Sequence, residues 1–453
     1  MIEGIVADIQ PFRAYRYDMA HVGNLSDVCA PPYDVIDSEM QQELLERHPA
    51  NIVRVILNRP EPGDNEGAHY QRAAGFIRNW LRQGVMVQDP RAAAYVYHQE
   101  FQLDGQPVVR RGFISRIHLE KFGDGRIYPH EETHSKAKQD RLNLTRATQC
   151  NTSQIFSIYA DENNQVQETL EAAIDDRTPL QATDDAGVVH KLWPVTDTAA
   201  IAEAATLMGP RALFIADGHH RYETALNYQD ELDGAESLPA DHPANYVSMC
   251  CVSMNDPGMI VLPTHRLWRG IPPISSSELC EKFAPAFSCQ VIGTGGSKAA
   301  EIWERIMVDD RQAQMAFYCA EDDTWVMAEL TDQGAAMMTE RLPDKSASWR
   351  ELGVSILHEL AIPALLGLTD LPTPKYVRKI EEVVNGIASG DDAGRDATGQ
   401  QGTGGRFELA TIVMPATINH VRLISEAGER MPAKSTYFYP KLLSGLVLNP
   451  LTK

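Results

Sequence analysis

The chain has little of what marks several large classes of protein. Its seven cysteines are scattered along 453 residues without a CxxC pair, so neither a disulfide framework nor a structural zinc site is expected. No apolar stretch reaches the length of a membrane span, and the first residues carry acids rather than the basic start of a secretory signal. We therefore expect a cytoplasmic protein that does not bind membranes.

Basic charge is also scarce, because 41 Lys and Arg stand against 62 Asp and Glu and give a net charge of −21. This balance argues against nucleic-acid binding, although a local cluster of cations can still hold a small anion. The chain has no Walker A sequence, GxGxxG, GxSxG elbow or kinase catalytic loop, so a standard phosphate loop is not expected. The expected partners are small molecules, and the sequence leaves the oligomeric state open.

The residues that are most informative lie at one predicted corner. Residues 212–216 form an apolar run typical of a buried strand, Asp217-Gly218 is a turn signal, and helical spacing begins at His219. The first turn of a helix has free N–H groups and the positive end of the helix dipole. Both favour an anion at this corner.

Four chemically active side chains fall within five positions of this corner. The Arg221 guanidinium suits phosphate or carboxylate, and Asp217 could hold a metal ion or accept a proton. In a purely structural alternative, Asp217 caps the helix and Arg221 pairs on the surface with Glu223 or Asp230. The density of titratable groups favours a site. Its members are Asp217, His219, His220 and Arg221.

A second polar cluster runs from His130 to Arg141. His130 and His134 have the spacing of a zincin HExxH motif, but Pro129 precedes them and the apolar residues of a zincin helix are missing. Cations and a carboxylate in one stretch fit a polar ligand better, and the alternative is a solvated loop and helix start. Glu132 is the candidate base, and the candidates for substrate binding are His130, Thr133, His134, Ser135, Lys136 and Arg141.

Two weaker signals complete the candidate site. Asp34 follows the rigid turn Pro31-Pro32-Tyr33 and is a further candidate for substrate binding or for the base. Lys434 and Ser435 are candidate anion contacts near the C-terminus. The alternatives are a structural turn and an ordinary strand.

The remaining pattern predicts an α/β (mixed α+β) fold, with mixed sheets flanked by helices and a smaller second lobe. We expect a helix over 38–47, a strand over 51–57, and a hairpin of strands 94–101 and 108–114 around Asp104-Gly105. Three regions are predicted: a catalytic region over 1–265, a smaller α/β lobe over 266–350, and a C-terminal region over 351–453 with a Gly-rich loop or lid at 389–405.

The sequence resembles a bacterial family known as a domain of unknown function, DUF1015. The resemblance is carried by segments 30–36, 130–141, 214–226, 262–266, 354–360 and 431–443. Members of that family look like free-serine kinases, including a pyrophosphate-dependent type. The Asp-Gly-His-His-Arg segment is also similar to that of archaeal ADP-dependent serine kinases, which have a ParB/sulfiredoxin-like core.

The resemblance implies a phosphoryl site at Asp217, His219, His220 and Arg221, with Mg²⁺ on Asp217. It gives no identity for the base. The chain departs from the family pattern in the Gly-rich 389–405 segment and at Ala433, where a polar residue is common.

The leading hypothesis is a phosphotransferase that acts on the hydroxyl of free L-serine, with pyrophosphate or a nucleotide as donor. One alternative is a metal-assisted hydrolase that uses His130, His134, Asp217 and His219. Another is a non-catalytic ParB-like protein that binds a small ligand.

Overall fold

The computed structural model describes residues 9–131, 135–174, 177–235, 237–369, 371–390 and 405–452, with side chains left out at 135–137 and 235. Contacts divide the chain into two compact units. Unit 1 comprises Met1–Pro129, Thr133–Ile260 and Pro440–Lys453, and unit 2 comprises His130–Glu132 and Val261–Tyr439. The three-region division expected from the sequence stays a prediction.

Unit 1 is built on a mixed sheet. The strands of unit 1 are β1 (Ile9–Gln10), β2 (Tyr15–Tyr17), β3 (Met86–Gln88), β4 (Ala94–Leu103), β5 (Gln106–His118), β6 (Ile127–Tyr128), β7 (Cys150–Asn151), β8 (Ile155–Tyr159), β9 (Leu180–Thr183), β10 (Val189–Val195), β11 (Leu213–Asp217) and β12 (Tyr246–Ser253). The main sheet has the order β6-β11-β8-β12-β5-β4-β10-β9, and β1 also pairs with β5. The pairs β11–β6 and β12–β8 are parallel, whereas β11–β8 and β12–β5 are antiparallel.

Helices of unit 1 cover this sheet and enclose an apolar core. They are α1 (Met19–Val22), α2 (Leu25–Val28), α3 (Ser38–Arg47), α4 (Val53–Ile56), α5 (Ala68–Gln83), α6 (Ser135–Thr148), α7 (Gln165–Glu171), α8 (Thr198–Met208) and α9 (His219–Ala235). The core includes Ile155, Leu213, Ile215 and Tyr222, so β8, β11 and α9 are fixed by burial on their inner faces.

The predicted hairpin is confirmed. Asp104 and Gly105 connect β4 to β5 with φ angles of 50° and 76°, and Leu103 faces Gln106 across the turn. Two consecutive residues with positive φ match the right-handed twist of paired strands, and Asp-Gly accepts this geometry readily.

The strand predicted over 51–57 is wrong, because the structure has helix α4 there. The Asn51 side chain accepts a hydrogen bond from the Val53 N–H at 2.9 Å, which starts a helical turn. Most of the segment is buried, so its apolar run has no periodicity that would separate a strand from a short helix.

Unit 2 is built on an antiparallel sheet with the order β15-β17-β16-β19-β14-β18. From the unit boundary onward the strands are β13 (Ile260–Leu262), β14 (His265–Trp268), β15 (Phe287–Thr294), β16 (Gln314–Cys319), β17 (Thr324–Leu330), β18 (Lys375–Val377), β19 (Leu409–Val413) and β20 (Tyr437–Tyr439). The helices are α10 (Ser276–Phe283), α11 (Ala299–Asp309), α12 (Asp332–Arg341), α13 (Ala347–Arg350), α14 (Gly353–Ile356), α15 (Ile380–Ser389), α16 (Ile418–Glu426) and the π-helix Leu357–Leu365.

The mixed α+β fold class is therefore confirmed. Within the Gly-rich 389–405 segment, residues 391–404 lie outside the described part of the chain. In the residues that the structure describes, no helix is both long and apolar enough to cross a bilayer.

Burial of His265 predicts acid sensitivity of unit 2. Burial lowers the pKa of His265 to about 3, so its imidazole is neutral in the native protein, whereas the unfolded chain titrates near ~6.5. As the pH falls below about 6.5, the unfolded chain binds the proton first, and the free energy of unfolding drops by up to ~1.4 kcal/mol per pH unit. In urea unfolding between about pH 7 and pH 5, His265→Gln should show a shallower pH slope than wild type, and an equal slope would contradict this account.

Candidate active site

The corner between β11 and α9 has the predicted strand, turn and helix. Asp217 is the last residue of β11, and the pairing with β8 shifts register between Ile215 and Asp217. Such a bulge changes the direction of the side chains that follow it. Gly218 then adopts a φ of 95°, and its carbonyl accepts the first helical hydrogen bonds, from the N–H groups of Arg221 and Tyr222.

The Asp217 carboxylate lies between two cations. Arg221 Nη2 donates to Asp217 Oδ2 at 2.7 Å, and Lys441 Nζ donates to Asp217 Oδ1. The three side chains are only 14–18% exposed, so these ion pairs are screened less than surface pairs. Arg221 also donates to the Gln154 carbonyl.

The alternative in which Arg221 forms a surface ion pair with Glu223 or Asp230 is wrong. Glu223 instead pairs with Lys138 at 2.7 Å, and Asp230 pairs with Lys121 at 3.2 Å. Arg221 therefore remains inside the corner, held by Asp217.

Lys441 was missed as a site residue from the sequence. The signal was its place in the 431–443 segment, but nothing local indicated a partner 224 positions away. Side chains from β4 and β5 fix the backbone around it. Gln99 Nε2 donates to the Lys441 carbonyl at 2.8 Å, and Arg110 donates to the Pro440 carbonyl. Arg110 is 1% exposed and also donates to Gln99 Oε1 at 3.0 Å, so these supports are themselves held in place.

A small pocket that is partly open to solvent lies beside Arg221. The guanidinium of Arg141 is the second cation on its wall, 4.1 Å from the centre of the Tyr33 ring. The pocket therefore combines two arginines with hydroxyl groups and a modest apolar surface. Its wall is formed by Tyr33, Arg141, Leu144, Thr145, Cys150, Asn151, Thr152, Ser153, Ile155, Arg221, Thr224, Ala225 and Val247.

The predicted site residues fall in both units. Asp217, His219, His220, Arg221 and Arg141 lie in unit 1, where His219 is buried and Arg141 shares the pocket with Arg221. Asp34 is also in unit 1 and is exposed, directly after Tyr33 of the pocket wall. Ser135 and Lys136 belong to α6 and their side chains lie outside the described residues, as do Glu132, Thr133 and His134 entirely.

The remaining candidates with a described structure, His130, Lys434 and Ser435, lie in unit 2 and bond to neighbouring residues. His130 Nε2 lies 2.9 Å from Thr436 Oγ1, and the Lys434 N–H donates to Glu131 Oε1 at 3.0 Å. The Ser435 hydroxyl donates to the Pro432 carbonyl, whereas the Lys434 side chain is exposed. The structure thus groups His130, Lys434 and Ser435 around one loop of unit 2.

The donor set at Asp217 does not fit a metal ion in this arrangement. Both carboxylate oxygens accept hydrogen bonds from cations, and a divalent ion there would face the positive charges of Arg221 and Lys441. Among the described residues, no group of three or more His, Cys, Asp or Glu side chains is arranged to hold a metal.

Comparison with known proteins gives the family. The model of DUF1015, described as a protein of unknown function, matches residues 9–355. The chain belongs to the DUF1015 family. No curated protein matches it.

Several solved structures resemble the chain at a low level. One is a mutant free serine kinase in complex with ADP, with 11% identity, a TM-score of 0.32, and coverage of 69% of this chain and 84% of that chain. Another is C-terminally truncated SbnI from Staphylococcus aureus, with 10% identity, a TM-score of 0.32, and coverage of 75% and 87%. A third is a conserved hypothetical protein from Pyrococcus furiosus, with 10% identity, a TM-score of 0.30, and coverage of 69% and 87%. Likeness at this level bears on neither activity nor ligand, so the function of this DUF1015 protein is argued from its own site.

We predict that any side chain at Gly218 destabilises this corner. A Cβ atom built there would lie 2.8 Å from Arg221 Nη2, and the φ of 95° is unfavourable for L-residues. Gly218→Ala should therefore lower the free energy of unfolding by about 1–2 kcal/mol and displace the guanidinium. Gly234→Ala is the matched control, because Gly234 lies in the same helix with open space around its Cα. Urea unfolding should show a neutral or stabilising effect for the control, and equal effects for the two variants would contradict the account.

Proposed function

We propose that this protein is a small-molecule phosphotransferase that phosphorylates the hydroxyl of free L-serine. The observation that carries the proposal is the Asp217 carboxylate held between Arg221 and Lys441, beside a pocket with a further arginine. Phosphoryl transfer needs positioning and charge neutralisation more than covalent chemistry. Two arginines on the pocket wall, and Lys441 on the same carboxylate as Arg221, are proposed to supply both.

In the proposed reaction, Arg221, Lys441 and Arg141 bind the phosphate oxygens of the donor. The Asp217 carboxylate keeps Arg221 and Lys441 oriented while they bind the donor. The serine oxygen attacks the terminal phosphorus, the bond to the leaving phosphate or nucleotide breaks, and a carboxylate takes the hydroxyl proton. Asp217 and Asp34 are the candidates for that base, and His219 and His220 are proposed contacts of the transferred group.

The donor is proposed to be pyrophosphate or a nucleotide, and Mg²⁺ is proposed to enter with it. Mg²⁺ is commonly held by substrate phosphates with few protein carboxylates, so this proposal does not require Asp217 as a metal ligand. A cytoplasmic location is proposed because all seven cysteines are free thiols.

A donor panel tests this function. The purified protein is incubated with L-serine and Mg²⁺ together with pyrophosphate, ADP or ATP, and O-phosphoserine is measured by mass spectrometry. We expect phosphoserine with one of the three donors and an increase of the melting temperature with that donor. Failure to form phosphoserine with any donor would contradict the proposal.

A further inference from the structure

Unit 2 contains a buried arginine whose hydrogen bonds go to backbone carbonyls. Arg266 on β14 is 0% exposed, and its guanidinium donates to the carbonyls of Thr264 and Lys434. Its Nε atom is buried without a hydrogen-bond partner, and among the described residues no carboxylate bonds to its guanidinium. A buried cation without a counter-charge is costly, so the position calls for an anion.

A second arginine directly follows the neighbouring strand. Arg266 is opposite Tyr376 on β18, and Arg378 comes after Val377, the last residue of that strand and the partner of His265. Because side chains alternate along extended backbone, we expect Arg378 on the same face as Tyr376 and Arg266. The Arg378 guanidinium lies 4.4 Å from the centre of the Tyr437 ring, its Nε is also buried without a partner, and no ion pair with a described carboxylate involves it. Neither guanidinium thus forms an ion pair with a described carboxylate, although the charge of Glu131 acts on the neighbouring Tyr376.

Neutral polar groups border these two arginines. His358, in the π-helix Leu357–Leu365, packs near Trp268 on the same face, with 6.2 Å between ring centroids. Burial lowers the pKa of His358 to about 3, and its Nε2 is buried without a partner. The Thr264 hydroxyl is likewise buried without a partner. We call Thr264, Arg266, His358, Tyr376 and Arg378 the Arg266 face.

We propose that the Arg266 face is a binding site for a phosphate group. Two guanidinium groups without carboxylate partners match an oxyanion with more than one charge and several acceptor oxygens. The Thr264 hydroxyl and the His358 imidazole supply further hydrogen bonds. Tyr376, Arg378 and His358 are partly exposed, so the ligand reaches the buried guanidinium along them.

This site does not depend on the proposed phosphotransfer, since all of its residues belong to unit 2. It also gives a role to two segments that the candidate active site leaves unused, 262–266 and 354–360. The 431–443 segment, which also contains Lys441, contributes through the Lys434 carbonyl, to which Arg266 donates at 3.1 Å.

Titration with inorganic phosphate tests the proposal. Isothermal calorimetry is performed on wild type, Arg378→Gln, Arg221→Gln and the double variant, with acetate as a singly charged probe. We expect Arg378→Gln to weaken binding at least tenfold at one site and to leave the Arg221-dependent site intact, and the double variant to lose both. Arg266→Lys, which keeps the charge but not the fork, should weaken the same site. Arg422→Gln is the control, because Arg422 lies on α16 of unit 2 and pairs with Glu426.

The outcomes separate the two sites. If Arg378→Gln binds phosphate as wild type does, the proposed site on the Arg266 face is overturned, whatever the affinity of Arg221→Gln. Loss of binding in Arg221→Gln alone supports the candidate active site and also overturns the present inference. Acetate that binds as well as phosphate contradicts the assignment of a phosphate ligand. Circular dichroism of each variant without phosphate must match wild type, and if Arg378→Gln does not fold, Thr264→Val replaces it with the same expected loss.

Discussion

Arg221→Ala is expected to phosphorylate serine with a kcat/KM about 10³-fold below that of wild type. The guanidinium is held by Asp217 and the Gln154 carbonyl and faces the pocket, so it is already oriented before the donor binds. An oriented charge at the phosphoryl group stabilises the transition state without further reorganisation. Steady-state rates of phosphoserine formation measure the effect. Arg221→Lys should recover only part of it, because an ammonium group lacks the planar fork.

Arg146→Ala is the matched control for this substitution. Arg146 lies on α6 with Arg141, but it is more exposed and pairs with Glu231 away from the pocket. We expect a kcat/KM within about twofold of wild type and a loss of stability below ~1 kcal/mol. A kcat/KM for Arg221→Ala that is within tenfold of this control would place Arg221 outside the reaction.

Asp217→Ala is expected to lose both activity and stability. Removing the carboxylate leaves Arg221 and Lys441 facing each other, in side-chain positions that are only 14–16% exposed. The free energy of unfolding should fall by about 2–3 kcal/mol, somewhat less than for a fully buried pair, and kcat/KM by about 10³-fold. Urea unfolding and the phosphoserine assay give the two values.

A double-mutant cycle with Lys441→Met separates the ion pair from other effects of Asp217→Ala. The double variant should be more stable than the sum of the single losses predicts, by about 1 kcal/mol or more, while activity remains lost. The more exposed pair of Lys191 and Glu100 is the control cycle and should give ~0–1 kcal/mol. A coupling free energy between Asp217 and Lys441 that is no larger than that of the control pair would contradict their close contact.

The sequence predicts the candidate site well where the signals are local. An apolar run followed by Asp217-Gly218 and a helical pattern gave β11, the turn and α9, since each step depends on neighbouring residues. The hairpin of β4 and β5 was predictable for the same reason. The strand predicted over 51–57 failed because its short, mostly buried apolar run has no periodicity, and the Asn51 side chain accepts a hydrogen bond from the Val53 N–H in a helical turn.

Contacts between distant parts of the chain could not be predicted. Lys441 reaches Asp217 only because Gln99 and Arg110, on a hairpin more than 300 positions earlier, hold the segment at 440–441. The Arg266 face likewise depends on the pairing of β14 with β18, which lie about 110 positions apart. Strand order and such pairings follow from packing of the whole unit, and no local pattern encodes them.

The fate of solvent oxygen tests most directly whether the Asp217 corner transfers a phosphoryl group to serine. The protein is incubated in H₂¹⁸O with L-serine, Mg²⁺ and the active donor, and the ¹⁸O content of the products is measured by mass spectrometry. Attack by the serine hydroxyl predicts O-phosphoserine without ¹⁸O, in an amount equal to the donor consumed. Incorporation of ¹⁸O into inorganic phosphate without phosphoserine would show that water is the acceptor, and it would contradict the proposed transfer in favour of hydrolysis.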